Sequence, residues 1–213
     1  MHSTRASKLA RALRRLIACS AATDGDVERL FAYVTRHLPL EDAAEGSPFI
    51  PPMYLLRVAE GLGVAEPLAI ETAAVGALFF AAADLADDCA DGDERVSVGV
   101  DINDMCRLLF IQQRAIQRLP VDPERKLRVA QLFADCGLEM TEGQQDDLLG
   151  TDAMQAAEPV SIARRKSGGE LAAFFAAPAL LVGQSPAPFL TFGQAVGTTI
   201  QILSDYLDLF LDP

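Results

Sequence analysis

The chain has little of what defines several common protein classes. Its four cysteines form no CxxC pair, which favours reduced thiols over a disulfide framework or a zinc site. The longest uncharged apolar runs, 72–83 and 171–182, cover about a dozen residues, short of the roughly 20 that a membrane-spanning helix needs. No P-loop, nucleophile elbow or dinucleotide-binding fingerprint is present. We therefore expect a cytoplasmic protein with no transmembrane segment.

Positive charge is also scarce. Eighteen basic residues stand against 30 acidic ones, for a net charge of −12, which disfavours nucleic acid as a partner. An anionic substrate would need metal ions or local basic groups to approach such a chain. Residues 1–23 are the exception, with five basic residues and no acidic one. This segment is expected to be a basic extension or helix, with targeting or surface binding left open, ahead of one domain over 24–213.

The chain reads as helices throughout, because no stretch alternates with a period of two and alanine and leucine dominate. Its length is enough for one domain with a substantial core. Thr23 and Asp26 fit a capping box, and a long apolar helix is expected from Pro67 to near Gly92. Proline and cap residues mark the other helices: a start at Pro51, a cap at Asp101 or Asn103, a helix from Asp122-Pro123 through Leu149, one from Pro159 that is interrupted near Pro178, and a last one from about Pro188.

Two aspartate clusters follow long apolar stretches. Asp87, Asp88 and Asp91 form the first cluster, and Ser204, Asp205, Asp208 and Asp212 form the second. Residues four apart lie on one face of a helix, so each cluster would present oxygen atoms together. Mg²⁺ prefers one or two carboxylates with water and substrate phosphates. The pattern predicts Mg²⁺ as cofactor and a diphosphate with an apolar tail as substrate.

These residues carry a family resemblance. The first cluster with Arg95 is similar to the first aspartate-rich motif of trans-isoprenyl diphosphate synthases. Residues 143–148 resemble the family's GQxxDL segment, and Lys166-Ser167-Gly168 resembles its K-[ST]-G element. Residues 192–208 resemble FGxxxG…QxxDDxxD. The matches run in the family's order over roughly residues 27–213, and they imply an all-α class I isoprenoid synthase bundle around a central apolar cavity.

The resemblance also implies roles for individual residues. Arg95 and Lys166 would contact the diphosphate of an allylic prenyl substrate of farnesyl size or longer, beside Mg²⁺ held by the two clusters. The implied substrate-binding positions are Phe79, Phe80, Ala83, Gln144, Asp147 and Gln201. We expect a homodimer or a heteromer.

Several positions depart from the family pattern. Ser47, Ile50, Phe80 and Val96 stand where family members hold the diphosphate of isopentenyl diphosphate with polar groups. Each charge-assisted hydrogen bond is worth roughly 1.5–3 kcal/mol, so chain elongation is expected to be weak. The alternatives are a terpene cyclase-like enzyme, which the spacing of Ser204, Asp208 and Asp212 resembles, and a non-catalytic partner subunit. Family members also continue through further helices, so the chain is expected to be minimal or fragmentary, or to be covered by a partner.

Overall fold

The computed structural model describes residues 4–20, 23–36, 51–92, 97–150 and 157–211. In these ranges the chain forms eight α-helices and no β-strand, which confirms the all-α fold class. The helices are α1 (Arg5–Ala18), α2 (Asp24–Thr35), α3 (Pro51–Gly61), α4 (Glu66–Asp91), α5 (Val98–Arg118), α6 (Pro123–Leu148), α7 (Ala157–Leu181) and α8 (Ala187–Leu211).

The chain divides into two compact units, Met1–Asp122 and Pro123–Pro213. Unit 1 contains α1 to α5, and unit 2 contains α6 to α8. The sequence-based boundary at residue 23 falls inside unit 1, where α1 packs against α2 and α4.

The basic N-terminal segment is an amphipathic helix of unit 1. Its apolar face is buried through Leu9, Leu13 and Ile17, each 0% exposed. Its basic face forms ion pairs with acidic residues of α2, α3 and α4: Arg5 with Glu60, Lys8 with Glu66, Arg14 with Glu28, and Arg15 with Glu71. Such exposed pairs contribute at most about 1 kcal/mol each, so the buried leucines hold α1 in place.

Helix α4 is the core helix of unit 1. Pro67 lies in its first turn, where the missing amide costs no hydrogen bond, and the αL residue Gly92 (φ 80°) ends it. By length and composition alone α4 could cross a membrane, but 72% of its most apolar window is buried. Buried core helices of soluble proteins can be equally long and apolar, so one such helix is weak evidence for a membrane-spanning segment.

Two details of the expected helices are wrong. Ser97, not Asp101 or Asn103, caps α5, with its side chain accepting from the Val100 amide. Helix α7 also runs through Pro178 without a break. Almost every residue from Leu171 to Leu181 is buried, and this packing offsets the one backbone hydrogen bond that a proline removes.

Close helix contacts explain the glycines of the motifs in unit 2. A Cβ at Gly143 of α6 would lie 2.5 Å from the Lys166 amide nitrogen, and one at Gly197 of α8 would lie 2.6 Å from the Ser167 carbonyl carbon. At Gly168 of α7 a Cβ would approach the Gln194 carbonyl oxygen to 3.0 Å. The three helices of unit 2 thus touch backbone to backbone near these glycines.

Candidate functional site

The first aspartate cluster occupies the last two turns of α4. Asp87 is half-buried and Asp91, the last residue of the helix, is exposed. The C-terminal end of a helix carries partial negative charge from its unsatisfied carbonyl groups. Two carboxylates on one face at this end therefore form a favourable place for a cation.

Asp88 lies on the side of α4 that faces α2. Its Oδ2 accepts hydrogen bonds from Tyr33 Oη (3.2 Å) and from Arg36 Nη1 (3.3 Å). Asp84, one turn earlier, lies 3.0 Å from the same Tyr33 hydroxyl, whose one proton the two carboxylates share, and it also accepts from Arg36. Burial and the neighbouring Asp84 raise the pKa of Tyr33, so its hydroxyl stays protonated and donates. Asp88, expected as a metal ligand, thus also has protein partners.

A second polar network joins α2 to α5. Arg29 Nε donates to the buried Asp104 at 2.7 Å, and Arg107 pairs with Asp26 at 3.3 Å and with Asp104 at 3.5 Å. Hydrogen bonds from Arg107, from Thr23 and from Arg29 lower the pKa of Asp26 to about 2. These contacts fix α2 in unit 1 and leave its last turn beside Asp84 and Asp88.

A cavity of about 270 Å³ lies at the same face of unit 1. Arg29, Tyr33, Arg36 and Asp104 of the two networks line it, together with Asp101. Asp101 and Asp104 are each only 5% exposed. The cavity is open to solvent and has mixed charge, so its shape alone does not define a ligand.

In unit 2, the residues of the GQxxDL-like and K-[ST]-G-like segments form ion pairs. Lys166 Nζ lies 3.2 Å from Asp147 Oδ2, and Arg165 lies 2.7 Å from Asp146 Oδ2. Lys166 is half-buried, whereas Asp147 is exposed. The arrangement places one flexible ammonium group at a solvent-accessible edge, where a diphosphate could replace a carboxylate as its partner.

A hydrogen-bond chain connects α7 with the second aspartate cluster. Ser167 Oγ donates to Gln201 Oε1, and Gln201 Nε2 donates to Asp205 Oδ1 at 2.7 Å. Gln201 is half-buried, and Asp205 is exposed on the same side of α8 one turn later. Two adjacent residues of α7 therefore make separate connections. Lys166 contacts Asp147 of α6, and Ser167 is linked to Asp205 of α8 through Gln201.

The other residues predicted from the sequence lie partly inside and partly outside the described ranges. Ser204 is exposed on α8, Gln144 of α6 is half-buried, Phe79 is buried (4% exposed), and Phe80 and Ala83 are half-buried on α4. Asp208 lies within α8. Arg95 and Asp212, together with Ser47, Ile50 and Val96, lie outside the described residues.

The donor set fits a hard divalent cation. Within the described parts of the chain, no three His, Cys, Asp or Glu side chains lie close enough together to hold a metal ion. Mg²⁺ is commonly bound by one or two carboxylates with water and phosphate oxygens, and Asp87 with Asp91 at the end of α4 offers such a pair. Asp205 of α8 offers another carboxylate, in unit 2.

Sequence reasoning missed the residues of α2. Tyr33 and Arg36 carry no motif, and their contacts with Asp84 and Asp88 of α4 join positions about 50 residues apart. One signal was present, since Asp84 precedes Asp88 by four residues and shares its helix face.

The fold and the motif positions define a class, the all-α isoprenoid synthases. The family model for polyprenyl synthetase matches residues 50–213. The chain therefore belongs to the polyprenyl synthetase family. No curated protein sequence matches it.

Solved structures support the same fold. The chain is similar to the geranylgeranyl pyrophosphate synthetase of Pyrococcus horikoshii, with 24% identity and a TM-score of 0.79 over 99% of this chain and 66% of that one. It is similar to an isoprenoid synthase family member of Thermotoga neapolitana, with 19% identity and a TM-score of 0.76 over 95% and 79%. A heterotetrameric geranyl pyrophosphate synthase of mint gives 17% identity and a TM-score of 0.74 over 100% and 86%.

Proposed function

We propose that the chain is a Mg²⁺-dependent prenyltransferase-like enzyme that ionises an allylic prenyl diphosphate. Membership of the polyprenyl synthetase family supports the substrate class. The observation that carries the proposal is the meeting of three motif segments in unit 2, through the pair Lys166–Asp147 and the hydrogen-bond chain Ser167–Gln201–Asp205.

Each of these residues has a chemical task in the proposal. Lys166 contacts the oxygens of the diphosphate and stabilises the charge that develops as the C–O bond breaks. Asp87 and Asp91 would hold Mg²⁺ in unit 1, and Asp205 would hold Mg²⁺ in unit 2, with Asp208 and Asp212 as further candidates there. When bound, Mg²⁺ supplies positive charge that lowers the barrier to departure of the leaving group. Gln201 orients Asp205 through its amide, and no protein nucleophile is required.

The allylic tail would lie against the apolar residues before the first cluster. Ala81 and Ala82 are 3% and 2% exposed, and Phe79 is 4% exposed, so this part of α4 faces protein. Small side chains one to two turns before Asp87 suit a tail of farnesyl size or longer. An apolar wall would exclude water from the allylic cation.

Elongation by isopentenyl diphosphate is not part of the proposal. Phe80 is a half-buried aromatic side chain of α4 and has no group that binds a diphosphate. A cyclase-like reaction is the second candidate, because exposed Ser204 lies one turn before Asp208 on α8. The likeness to a heterotetrameric synthase of mint supports a role beside a partner subunit as a further alternative.

The test is release of diphosphate from geranyl, farnesyl and geranylgeranyl diphosphates with Mg²⁺, followed by product analysis. We expect release from at least one substrate, and a loss of about 100-fold or more in kcat/KM for Lys166→Met, because one charge-assisted contact to a leaving group typically carries about 3 kcal/mol. Arg128→Met is the matched control, since Arg128 is an exposed residue of α6 and the same charge is removed. Equal activity of Lys166→Met and Arg128→Met would contradict the proposal.

A further inference from the structure

We propose that one side of α8 is a self-association surface, which pairs with α8 of a second copy of this chain in antiparallel orientation. The surface is a row of six residues spaced alternately by three and four positions, and we call it the α8 stripe: Phe192, Ala195, Thr199, Ile202, Tyr206 and Leu209. This inference concerns assembly and does not rest on the proposed function.

The α8 stripe lies on the side of α8 that is turned away from α7. Gly193 and Gly197, where a Cβ would meet the backbone of α7, mark the side that packs within unit 2. A helix turns by about 100° per residue, which places the middle of the stripe about 150° from these glycines. All six stripe residues are accordingly exposed, and none of them carries a charge.

The exposed apolar area has the size of one side of a dimer interface. Six large side chains in and beside the stripe are 45–78% exposed: Phe192, Ile202, Leu203, Tyr206, Leu209 and Phe210. With roughly 200 Å² for a fully exposed large side chain, these six expose on the order of 700 Å². The largest apolar patch of a typical monomer covers about 300–600 Å², whereas a standard interface buries about 800 Å² on each partner. The patch therefore requires a macromolecular partner more than a small ligand.

The spacing of the stripe suits a second helix. An alternation of three and four positions is the repeat by which two helices pack along a common seam. The stripe can also be buried without stranding its threonine, because the Thr199 hydroxyl donates to the Ala195 carbonyl at 2.8 Å. Buried polar groups need such a partner, and here α8 provides it before association.

Aromatic contacts hold two of the stripe residues in place. Phe192 packs edge-on against Phe175 of α7, with ring centroids 5.2 Å apart. The Tyr206 ring lies 4.7 Å from that of Phe210. Side chains that are already ordered lose little conformational freedom on association, and aromatic residues are common anchors of interfaces. Each half of the stripe therefore has one prepared anchor.

The side-chain sizes along the stripe indicate both the partner and its direction. An antiparallel pair can be centred on a two-fold axis between Thr199 and Ile202, so that these two residues face each other across the axis. Ala195 then lies opposite Tyr206 of the second copy. Small residues thus face large ones, which fills the seam to the density of a protein interior. A parallel pair would leave space at Ala195 and crowd Tyr206. The stripe is therefore complementary to itself, as a two-fold contact requires.

The first experiment measures the mass of the full chain by sedimentation equilibrium, from low to high micromolar concentration. We expect a monomer–dimer equilibrium. Ile202→Asp and Leu209→Asp each place an unpaired charge in the seam and are expected to raise the dimer dissociation constant at least about thirtyfold. Phe110→Asp and Leu127→Asp are the matched controls, because they place the same charge at exposed apolar residues of α5 and α6. They are expected to change the dissociation constant by less than about threefold.

Disulfide formation tests the antiparallel direction. Ala195→Cys and Tyr206→Cys are made in separate proteins, each with Cys19→Ser because Cys19 is exposed. Antiparallel pairing brings these two positions together and holds equal positions about 16 Å apart along the helix axis, too far for a disulfide. With oxidised glutathione, the mixed proteins are therefore expected to form a linked dimer much faster than either protein alone.

Weaker dimers in both stripe variants, unchanged dimers in both controls and faster linkage in the mixture would support the inference. A wild-type protein that stays monomeric over the whole concentration range would overturn it. So would a dimer that Phe110→Asp or Leu127→Asp weakens as much as Ile202→Asp does, because another surface would then join the copies. Faster linkage of Tyr206→Cys alone than of the mixture would show a parallel pair and overturn the antiparallel arrangement.

Discussion

Lys166 of α7 and Asp147 of α6 form an ion pair with 3.2 Å between Nζ and Oδ2. The pair joins two of the segments by which the chain resembles its family, and it lies at an edge where Asp147 is exposed. A diphosphate that binds Lys166 would therefore compete with the carboxylate of Asp147. The ion pair therefore stabilises unit 2 and lowers the affinity of Lys166 for an anion.

Replacing Asp147 should strengthen anion binding. In Asp147→Asn, Lys166 no longer has to leave a charged partner, and such partly exposed pairs are worth up to about 1 kcal/mol. We expect inorganic pyrophosphate to bind about two- to fivefold more tightly, measured by calorimetry without metal. Asp146→Asn is the matched control, because Asp146 pairs with Arg165 instead. Equal gains in both variants would show that only net charge matters.

The glycine of α8 at the crossing with α7 should be intolerant of a side chain. Gly197→Ala places a methyl group 2.6 Å from the Ser167 carbonyl carbon, so the helices must move apart. We expect the free energy of unfolding to fall by about 1–3 kcal/mol or more, measured by chemical denaturation. Gly99→Ala, with no atom within 4 Å of the new Cβ, should be neutral or stabilising by up to about 1 kcal/mol. The prediction fails if Gly197→Ala is as stable as Gly99→Ala.

Unit 1 should lose stability in acid partly through Asp26. Hydrogen bonds from Arg107, Thr23 and Arg29 lower the pKa of Asp26 to about 2, below the ordinary value near 4. A lowered carboxyl pKa gives stability that is complete above about pH 4 and is lost as the pH falls towards about 2. Thermal unfolding between pH 2 and pH 6 should therefore show a smaller acid loss for Asp26→Asn than for the wild type. Identical pH profiles for the two proteins would contradict this assignment.

Much of the fold follows from local signals. The cap at Thr23, with its side chain accepting from the Asp26 amide at 3.2 Å, and the start of α6 at Pro123 were both predicted from the sequence. The continuation of α7 through Pro178 was not, because burial along the whole segment decides it and no local rule reports burial. The need for a glycine at position 197 could not be predicted for the same reason, because Ser167, which a Cβ there would meet, belongs to another helix.

The candidate site could also be predicted from the sequence only in part. The spacing of Asp87 and Asp91, and the place of Lys166 in a segment that resembles K-[ST]-G, could be inferred from motifs. The contacts of Tyr33 and Arg36 with Asp88 could not, since they depend on how α2 packs against α4 across about 50 residues of chain.

Chain elongation should be weak. Ser47, Ile50, Phe80 and Val96 replace polar groups that hold isopentenyl diphosphate in the resembling family, and three or more lost charge-assisted contacts would remove at least about 5 kcal/mol of binding. We expect added isopentenyl diphosphate to change the products of farnesyl diphosphate little, as analysed by chromatography. A saturable yield of a product five carbons longer would show that these positions were misinterpreted.

The most direct test of the proposed function is calorimetric binding of an allylic prenyl diphosphate with and without Mg²⁺. Because the chain carries a net charge of −12, a bare diphosphate should bind poorly. We predict that Mg²⁺ strengthens binding at least about tenfold, and that Asp87→Asn with Asp91→Asn abolishes this gain. Equal affinity with and without Mg²⁺ in the wild-type protein would contradict the account.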